Sequence, residues 1–244
     1  MNKATSGGAD RRVLVVTPTY NEKENIRFFA EAVLKALPTA DLLIVDDNSP
    51  DGTGDIAEAL SKENPQFYVL HRRAKEGLGR AYVDGFRWAL QRSYDRILQI
   101  DADFSHDPND LPRLLAAAEV DDLIIGSRYV GGNTRVLNWP LRRLMLSRGA
   151  GIYVRLLTGM PVADPTAGFK CFRREVLEAI ELDRIAAEGY GFQIEINHRA
   201  WCRGFSLREI PIVFVDRAAG ISKMSLAIAR EAVFLVLKLA FRRK

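Results

Sequence analysis

Short, mainly apolar runs alternate with helical patterns through the first half of the chain. The runs lie at residues 13–16, 42–45, 67–70, 96–100 and 123–125. Between them apolar residues recur at helical spacing, and Pro38 ends the first such stretch. Runs that are apolar throughout are typical of parallel strands that helices cover on both faces. Because βαβ crossovers are right-handed, this order predicts an open, doubly wound α/β fold.

The second half of the chain is less regular but still mixes helices with strands. We expect helices over residues 140–157, 191–203 and 225–241 and strands over residues 168–172 and 206–213. No repeat, low-complexity tract or linker divides the chain. The sequence therefore predicts a disordered N-terminal tail over residues 1–11, one α/β domain over residues 12–223 and an amphipathic, basic C-terminal helix over residues 224–244.

Composition removes several classes of protein. Apolar residues make up 48% of the chain and charged residues 27%, which is typical of a globular protein rather than a disordered or collagen-like one. No run of 18 apolar residues is present, so we expect no membrane-spanning helix, and we find no secretory signal. The net charge of +4 is too small to require a nucleic-acid partner. Cys171 and Cys202 are far apart, and we expect two buried thiols in a reducing compartment.

Polar residues follow three of the predicted strands, at residues 17–22, 46–49 and 101–103. In an open parallel sheet, ligands bind beyond the carboxyl ends of the strands. Asp101 and Asp103 are alternate residues at a strand end, so their carboxylates can converge. Such a pair suits Mg²⁺ or Mn²⁺ bound together with substrate phosphates, and Ser105 can add an oxygen. His106 is more suited to packing than to binding such an ion. The other interpretation is that these acids only cap the following helices.

Several familiar site motifs are absent from the sequence. There is no GxxxxGK[ST] phosphate-binding loop, no GxGxxG after the first strand and no GxSxG nucleophile turn. These absences argue against a P-loop NTPase, a dinucleotide-binding Rossmann enzyme and an α/β-hydrolase.

The charges are distributed unevenly. Residues 123–163 contain no Asp, Glu or Lys, but they contain six arginines, at positions 128, 135, 142, 143, 148 and 155. Arg143 and Ser147 are four residues apart and share a face of the predicted helix. Arginine without lysine favours forked recognition of phosphate. The alternatives are a solvated basic face or a face on anionic lipid. The apolar side of the C-terminal helix fits either a membrane surface or the domain core.

Seven motifs occur in order along the chain and carry a family resemblance. They are VTPTYNE at 16–22, VDDNSPDGT at 45–53, DADFSH at 101–106, GSRY at 126–129, DPTAGFK at 164–170, GYGFQIE at 189–195, and VDR at 215–217 with SK at 222–223. Over residues 12–225 the chain resembles the dolichol- or polyprenol-phosphate mannosyltransferases of inverting glycosyltransferase family two. The resemblance implies a GT-A catalytic domain over residues 12–223, a GDP-mannose donor, Mg²⁺ or Mn²⁺, and a polyprenyl or dolichyl phosphate acceptor.

The resemblance also implies roles for individual residues. The donor site would comprise Pro18, Tyr20, Glu22, Val45, Asp47, Asp101, Ala102, Asp103, Arg128, Arg217 and Lys223. Asp103 and Ser105 would bind the metal. Arg128, Arg143 and Ser147 would receive the acceptor phosphate. The catalytic set would be Asp101, Asp103, Arg128, Arg217 and Lys223. Some relatives have Gln where Ser105 stands, and some carry C-terminal transmembrane helices, which we do not expect here.

An acceptor phosphate monoester is already largely ionised near neutral pH, so it needs no general base. Because we expect a lipid acceptor but no membrane-spanning helix, we expect a peripheral enzyme on the cytoplasmic face of a membrane. A membrane-anchoring subunit is a possible partner, and we expect no nucleic-acid partner. One alternative is a transferase that uses UDP-glucose or a UDP-N-acetylhexosamine. Another transfers to a sugar hydroxyl with Asp164 or Glu195 as base. A third is a non-catalytic scaffold that binds a nucleotide sugar.

Overall fold

The computed structural model describes residues 11–185, 189–216 and 226–241. Most of the predicted N-terminal tail, and Arg217 and Lys223, lie outside these ranges. The nine strands are β1 Val13–Thr19, β2 Asp41–Asp46, β3 Phe67–His71, β4 Arg96–Gln99, β5 Leu123–Ser127, β6 Val136–Leu137, β7 Lys170–Arg173, β8 Leu207–Pro211 and β9 Phe214–Val215. The α-helices are α1 Ile26–Ala36, α2 Thr53–Glu63, α3 Leu78–Leu90, α4 Leu111–Ala117, α5 Leu141–Thr158, α6 Arg174–Ala179, α7 Gly189–Cys202 and α8 Leu226–Phe241.

Seven strands form one sheet in the order β3-β2-β1-β4-β7-β5-β8. Every neighbouring pair is parallel except the two made by β7, which runs antiparallel to β4 and to β5. The fold class predicted from the sequence, an open and mostly parallel sheet with helices on both faces, is confirmed. Because β7 is antiparallel, its first residue, Lys170, pairs with Gln99 at the carboxyl end of β4. The chain before β7 therefore arrives at the edge where the ligands of such sheets bind.

The central strands β1 and β2 are mainly apolar because each face of the sheet has its own core. Leu14 and Val16 of β1 belong to a cluster with α3, α7 and α8, whereas Val13 and Val15 belong to a cluster with α1, α2 and α4. Gly85 brings α3 against the sheet: a Cβ there would lie 2.5 Å from Cγ1 of Val16. The alternation of the strand side chains thus distributes the apolar residues between two layers of helices.

Two features differ from the sequence prediction. A second small sheet, in which β6 pairs parallel with β9, was not predicted, because two-residue strands have no period to detect. Cys171 is buried as expected, but the prediction for Cys202 is wrong, because its side chain is exposed at the end of α7. Within the described residues, none of the helices is both long enough and apolar enough to cross a bilayer.

Helices α5 and α8 contact each other and carry an exposed apolar surface. Val236 and Leu239 of α8 are buried in the core beside α7. The opposite side of the pair exposes large apolar side chains, namely Leu141, Met145, Leu146, Ile152 and Leu156 of α5 and Val233, Phe234, Leu237 and Phe241 of α8. We call these nine residues the apolar surface. One side of the C-terminal helix therefore packs on the core, as one of the two interpretations predicted, and another side is exposed, whereas contact with a membrane surface stays a prediction.

Candidate active site

The three predicted polar segments meet at one edge of the large sheet. Strands β2, β1 and β4 are neighbours, so their carboxyl ends lie side by side. Thr19 pairs with Asp46 across β1 and β2, and its hydroxyl donates to Asp46 at 3.0 Å. Asp46 also accepts from the backbone N–H and the hydroxyl of Ser49, at 3.0 and 2.6 Å. Asp46 thus fixes the loop that follows β2, and this role is structural.

Asp47, a predicted donor ligand, is buried and forms an ion pair with Nη1 of Arg72. Arg72 also binds Asp84 and Glu76 at 2.8 and 2.7 Å. Burial is the largest influence on Asp47 and raises the pKa of its carboxyl, whereas the bond from Arg72 acts in the opposite direction. The pairing keeps a carboxylate beside a buried guanidinium at the end of β2. Such an acceptor–donor pair can recognise a nucleobase edge.

Other predicted donor ligands lie in the loop after β1. Pro18 and Tyr20 are half-buried, and the ammonium of Lys75 lies 3.7 Å from the centre of the Tyr20 ring. The backbone N–H of Glu22 donates to the hydroxyl of Thr53 at 3.0 Å, which joins this loop to the start of α2. These residues form a continuous wall at the carboxyl end of β1.

Two predicted donor ligands are core residues. The side chain of Val45 is fully buried between the sheet and α3, and Ala102 is 2% exposed. Any contact with a donor is therefore left to their main-chain atoms.

Asp101 is held beneath the edge by an aromatic hydroxyl. Tyr82 of α3 donates to Oδ1 of Asp101 at 2.6 Å. Tyr82 is fully buried, and burial raises the pKa of its phenol well above the ordinary value, with a further rise from the charge of Asp101. Tyr82 therefore stays protonated and serves as a permanent donor to Asp101.

Asp103 and Ser105, the predicted metal ligands, lie in a tight turn after β4. Oδ1 of Asp103 accepts the backbone N–H of Ser105 at 2.9 Å, and Phe104 between them has φ 57°. The described residues contain no group of three or more His, Cys, Asp or Glu side chains that could hold a metal ion. Mg²⁺ needs only one or two carboxylates when substrate phosphates and water complete its shell. The oxygens of Asp103 and Ser105 fit such an ion.

His106 packs against two aromatic rings, as expected. Its ring lies 5.2 Å from that of Phe169 and 5.1 Å from that of Phe214. Burial lowers the pKa of His106 to about 4, so the ring is neutral at neutral pH.

Arg128, predicted to contact both substrates, is buried and paired with Asp164. Its Nε and Nη2 donate to the two carboxylate oxygens at 2.7 and 2.6 Å, and Nη2 also donates to the hydroxyl of Thr166 at 2.8 Å. The backbone N–H groups of Ala163 and Asp164 are bound in turn by Glu209 of β8, at 2.7 and 2.9 Å. The pair ties the loop before β7 to the ends of β5 and β8, so structure alone accounts for these contacts of Arg128.

The two carboxylates that a sugar-hydroxyl transferase would use as its base are both committed to arginines. Asp164 is fully buried against Arg128. Glu195 of α7 is 4% exposed and is bound by Arg199 at 2.7 Å. The burial of both carboxylates and their bonds to guanidinium groups leave little room for an incoming sugar hydroxyl. This geometry argues against that alternative.

Arg143 and Ser147 face the domain from one side of α5, as their spacing predicted. Nη1 of Arg143 donates to both oxygens of Asp216, at 2.9 and 2.8 Å, and the guanidinium stacks 4.1 Å from the ring centre of Trp139. The hydroxyl of Ser147 accepts from the phenol of Tyr129 at 2.8 Å. Because that bond uses a lone pair of Ser147, its own proton remains available for another acceptor.

Strand β9 connects the predicted metal ligands to the arginine helix. The backbone N–H of Val215 donates to the carbonyl of Ser105 at 3.1 Å. The next residue, Asp216, binds Arg143 through its side chain and the carbonyl of Leu137 through its backbone N–H, at 3.2 Å. Two consecutive residues therefore join the turn after β4 to α5. The predicted metal ligands and the predicted acceptor residues thus lie on the same side of the molecule.

Sequence reasoning gave no role to Lys170, which is fully buried at the start of β7. Its ammonium is bound by the side-chain and main-chain oxygens of Gln193. Burial lowers the pKa of Lys170 well below its ordinary value, against the opposing charges of Asp164 and Asp101. A lysine inside the predicted strand at residues 168–172 was a signal for a buried charge near the acidic edge.

Comparison with known proteins agrees with this geometry. A family model described as Glycosyl transferase family 2 matches residues 14–181, more than half of the chain. The chain belongs to glycosyl transferase family 2. Undecaprenyl-phosphate mannosyltransferase of Micrococcus luteus is 48% identical over 222 residues, which cover 91% of each protein. Polyprenol monophosphomannose synthase of Mycolicibacterium smegmatis is 49% identical over 234 residues, or 95% of this chain and 88% of that protein. The predictions of a glycosyltransferase and of its resemblance to polyprenol-phosphate mannosyltransferases are confirmed.

Solved structures share the fold at low identity. Glucosyl-3-phosphoglycerate synthase from Mycobacterium tuberculosis with phosphoglyceric acid has a TM-score of 0.67 and 22% identity, covering 95% of this chain and 81% of that one. The same enzyme with Mn²⁺, uridine diphosphate and phosphoglyceric acid has a TM-score of 0.68 and 21% identity, covering 95% and 79%. The GT-A-like fold is therefore confirmed.

Proposed function

We propose that this family 2 glycosyltransferase transfers mannose from GDP-mannose to the phosphate of a polyprenyl or dolichyl lipid, with inversion at the anomeric carbon. The observation that carries the proposal is the connection through Val215 and Asp216. It brings a turn suited to a nucleotide diphosphate and a helix face suited to a phosphate monoester to the same side of the fold. The names of the two similar proteins, which specify mannose and polyprenol phosphate, support the choice of sugar and acceptor.

On the donor side, we assign the nucleoside to the wall made by Pro18, Tyr20 and Glu22 and to the Asp47–Arg72 pair. Asp101 and Asp103 lie next to this wall along the sheet edge. Asp103 and Ser105 would hold Mg²⁺ or Mn²⁺, which when bound supplies Lewis-acid stabilisation of the departing diphosphate. The predicted contacts of Arg217 and Lys223 with the donor phosphates also remain part of the proposal.

On the acceptor side, we assign the lipid phosphate to Arg143 and Ser147. A phosphate monoester has a second pKa of about 6, so most of it is dianionic at neutral pH. It can therefore attack without losing a proton to the protein. The protein's contribution is then orientation and charge. The commitment of Asp164 and Glu195 to arginines fits a reaction that needs no protein base. One displacement inverts the anomeric centre, so an α-linked donor gives a β-linked product.

We also propose that the enzyme acts at the surface of a membrane, on its cytoplasmic face, with a further anchoring subunit as a possible partner. The apolar surface of α5 and α8 supports peripheral attachment. Arg142 and Arg155 of α5 are exposed on the same helix and would meet anionic headgroups. Arg143 and Ser147, which we assign to the acceptor phosphate, lie on α5 itself. The hydrocarbon chain of the acceptor could therefore stay in the bilayer while its phosphate binds to the protein.

The deciding experiment incubates the protein with a panel of nucleotide sugars and a short polyprenyl phosphate, with and without Mg²⁺ or Mn²⁺, and detects the lipid product by mass. We expect mannosyl phosphate lipid from GDP-mannose only when metal is present. Product from UDP-glucose or a UDP-N-acetylhexosamine instead would overturn the donor assignment. No product from any donor would favour the scaffold.

The variant Asp103→Asn tests the metal ligand in the same assay. Loss of Lewis-acid stabilisation should lower kcat about a hundredfold, or about 3 kcal/mol in the barrier. Asp107→Asn is the matched control. Asp107 is an exposed carboxylate that accepts the N–H of Asn109, and Asn replaces Asp well at such a position. Equal rates for the two variants would refute the metal assignment.

A further inference from the structure

Arg143 is held on two sides by residues that the proposed mechanism does not use. The ring of Trp139 covers one face of the guanidinium at 4.1 Å, and Asp216 takes Nη1 with both carboxylate oxygens. Both oxygens converge on a single nitrogen rather than forming the usual fork with two. The geometry of the pair therefore leaves the edge formed by Nε and Nη2 outside the bond to Asp216.

Asp216 is itself fixed by the main chain. Its backbone N–H donates to Leu137 of β6, and the residue before it donates to Ser105. The carboxylate is therefore anchored to the small sheet and, through Val215, to the turn that carries the predicted metal ligands. The position of Arg143 follows from these anchors rather than from α5 alone.

We propose that Asp216, supported by Trp139, is a positioning residue that directs the Nε–Nη2 edge of Arg143 at the acceptor phosphate. The inference rests on the proposed role of Arg143 in binding that phosphate. An arginine side chain loses considerable rotamer freedom when it binds a phosphate, and an arginine already held in place loses less. Asp216 thereby lowers the cost of binding and sets the orientation of the acceptor relative to the donor.

A simple charge argument predicts the opposite sign, which makes the inference testable. Asp216 places a negative charge near an anionic ligand, so if its only effect were repulsion, removing the carboxylate would tighten acceptor binding. If its effect is to position Arg143, removing it weakens binding. The amide oxygen of Asn can still accept from Nη1, so Asp216→Asn should retain most of the function that Asp216→Ala loses.

The experiment measures the dissociation constant of farnesyl phosphate, a soluble probe for the acceptor headgroup, by calorimetry without a donor. We expect Asp216→Ala to weaken binding about tenfold, since small losses of orientation are costly, and Asp216→Asn to stay within about threefold of wild type. In an Arg143→Gln background, Asp216→Ala should have no further effect. In steady-state kinetics the acceptor KM of Asp216→Ala should rise by the same factor, and the donor KM should stay unchanged.

Asp122→Ala is the matched control for a merely structural loss. Asp122 pairs with Arg173 at 3.0 Å, and the side chains of that pair are 25% and 26% exposed, against 26% and 22% for Asp216 and Arg143. The control should lower the melting temperature and leave farnesyl phosphate binding unchanged.

The outcomes separate this inference from the proposed function. Unchanged or tighter binding by Asp216→Ala, with weaker binding by Arg143→Gln, overturns the positioning role and leaves the acceptor site standing. Independent, additive losses from the two substitutions also overturn it. If wild type does not bind farnesyl phosphate, or Arg143→Gln binds it as well as wild type, the acceptor assignment fails and the inference fails with it.

Discussion

At the scale of single residues, several buried charged side chains lie around the acidic edge of the sheet. Lys170 lies in the core under that edge, bound to Gln193, where a charged ammonium is poorly solvated. Burying a cation disfavours its charged form, which is why the pKa of Lys170 is depressed. The free energy of unfolding should therefore depend on whether the amine of Lys170 is protonated.

We predict that Lys170 makes stability depend on pH. Between its depressed folded pKa and its unfolded value of about 10.4, the unfolded chain binds more protons than the folded one. The free energy of unfolding should therefore rise with pH across that interval. Lys170→Met should remove this part of the rise. Urea unfolding of wild type and variant at neutral and alkaline pH measures the difference, in which the contributions of Cys171 and the tyrosines cancel.

If the free energy of unfolding rises equally steeply with pH in wild type and in Lys170→Met, Lys170 has the same protonation in the folded and unfolded states.

The residue scale also shows what sequence could not supply. The types and spacing of Asp101, Asp103, Arg143 and Ser147 predicted them as candidate site residues, and those assignments stay predictions. The residues that hold them, such as Tyr82 and Asp216, come from other elements, and only the folded chain brings them close. Arg128 had the residue type of a phosphate ligand, but its burial against Asp164 is set by the loop before β7.

At the scale of elements, α5 and α8 combine two surfaces on one helix pair. Their inner sides complete a core, and their outer sides form the apolar surface. The hydroxyl of Tyr153 on α5 donates to the carbonyl of Val233 on α8 at 3.2 Å, which joins the pair. The sequence left two interpretations of the C-terminal helix open because apolar residues occur on both sides of it, and only packing distinguishes the sides.

We predict that charge on the apolar surface releases the protein from lipid. Leu156 and Phe234 are 78% and 65% exposed, so changing either to Glu should leave the fold intact. Burying such a side chain in an apolar phase stabilises by about 1.5–3 kcal/mol, so each substitution should weaken vesicle binding about tenfold or more. Co-sedimentation with vesicles containing phosphatidylglycerol measures the change.

Val120→Glu is the control for that measurement, because Val120 is 72% exposed but lies between α4 and β5, away from the helix pair. Equal losses for all three variants would mean that vesicle binding responds to net charge and not to this surface.

At the scale of the whole molecule, the sheet order places the site. The alternation of strands and helices was sufficient to predict an open sheet with ligands at its carboxyl edge. The antiparallel β7 was not predictable, because a short apolar strand has the same pattern in either direction. Its direction matters, since it delivers Asp164 to the edge, where its carboxylate accepts from Arg128 after β5 and its backbone N–H donates to Glu209 of β8.

We predict that the Arg128–Asp164 pair contributes strongly to the free energy of unfolding. Asp164→Asn would leave the guanidinium of Arg128 buried without its counter-ion, which typically costs about 3–5 kcal/mol. Asp183→Asn is the comparison, because the Arg87–Asp183 pair is exposed and such pairs contribute about 0–1 kcal/mol. Urea denaturation of both variants measures the contrast. A loss below about 1 kcal/mol for Asp164→Asn would show that water or another group solvates Arg128.

The step from Val215 to Asp216 has one more consequence. Because one of these residues binds the turn after β4 and the other binds α5, the two anchoring residues are joined by a single peptide unit, whose Cα atoms are about 3.8 Å apart. Covalent geometry therefore limits how far the turn and α5 can move relative to each other. A substitution in the proposed donor or acceptor site should leave this link intact, so a change of sugar or lipid preference should not require a change in the spacing of the two elements.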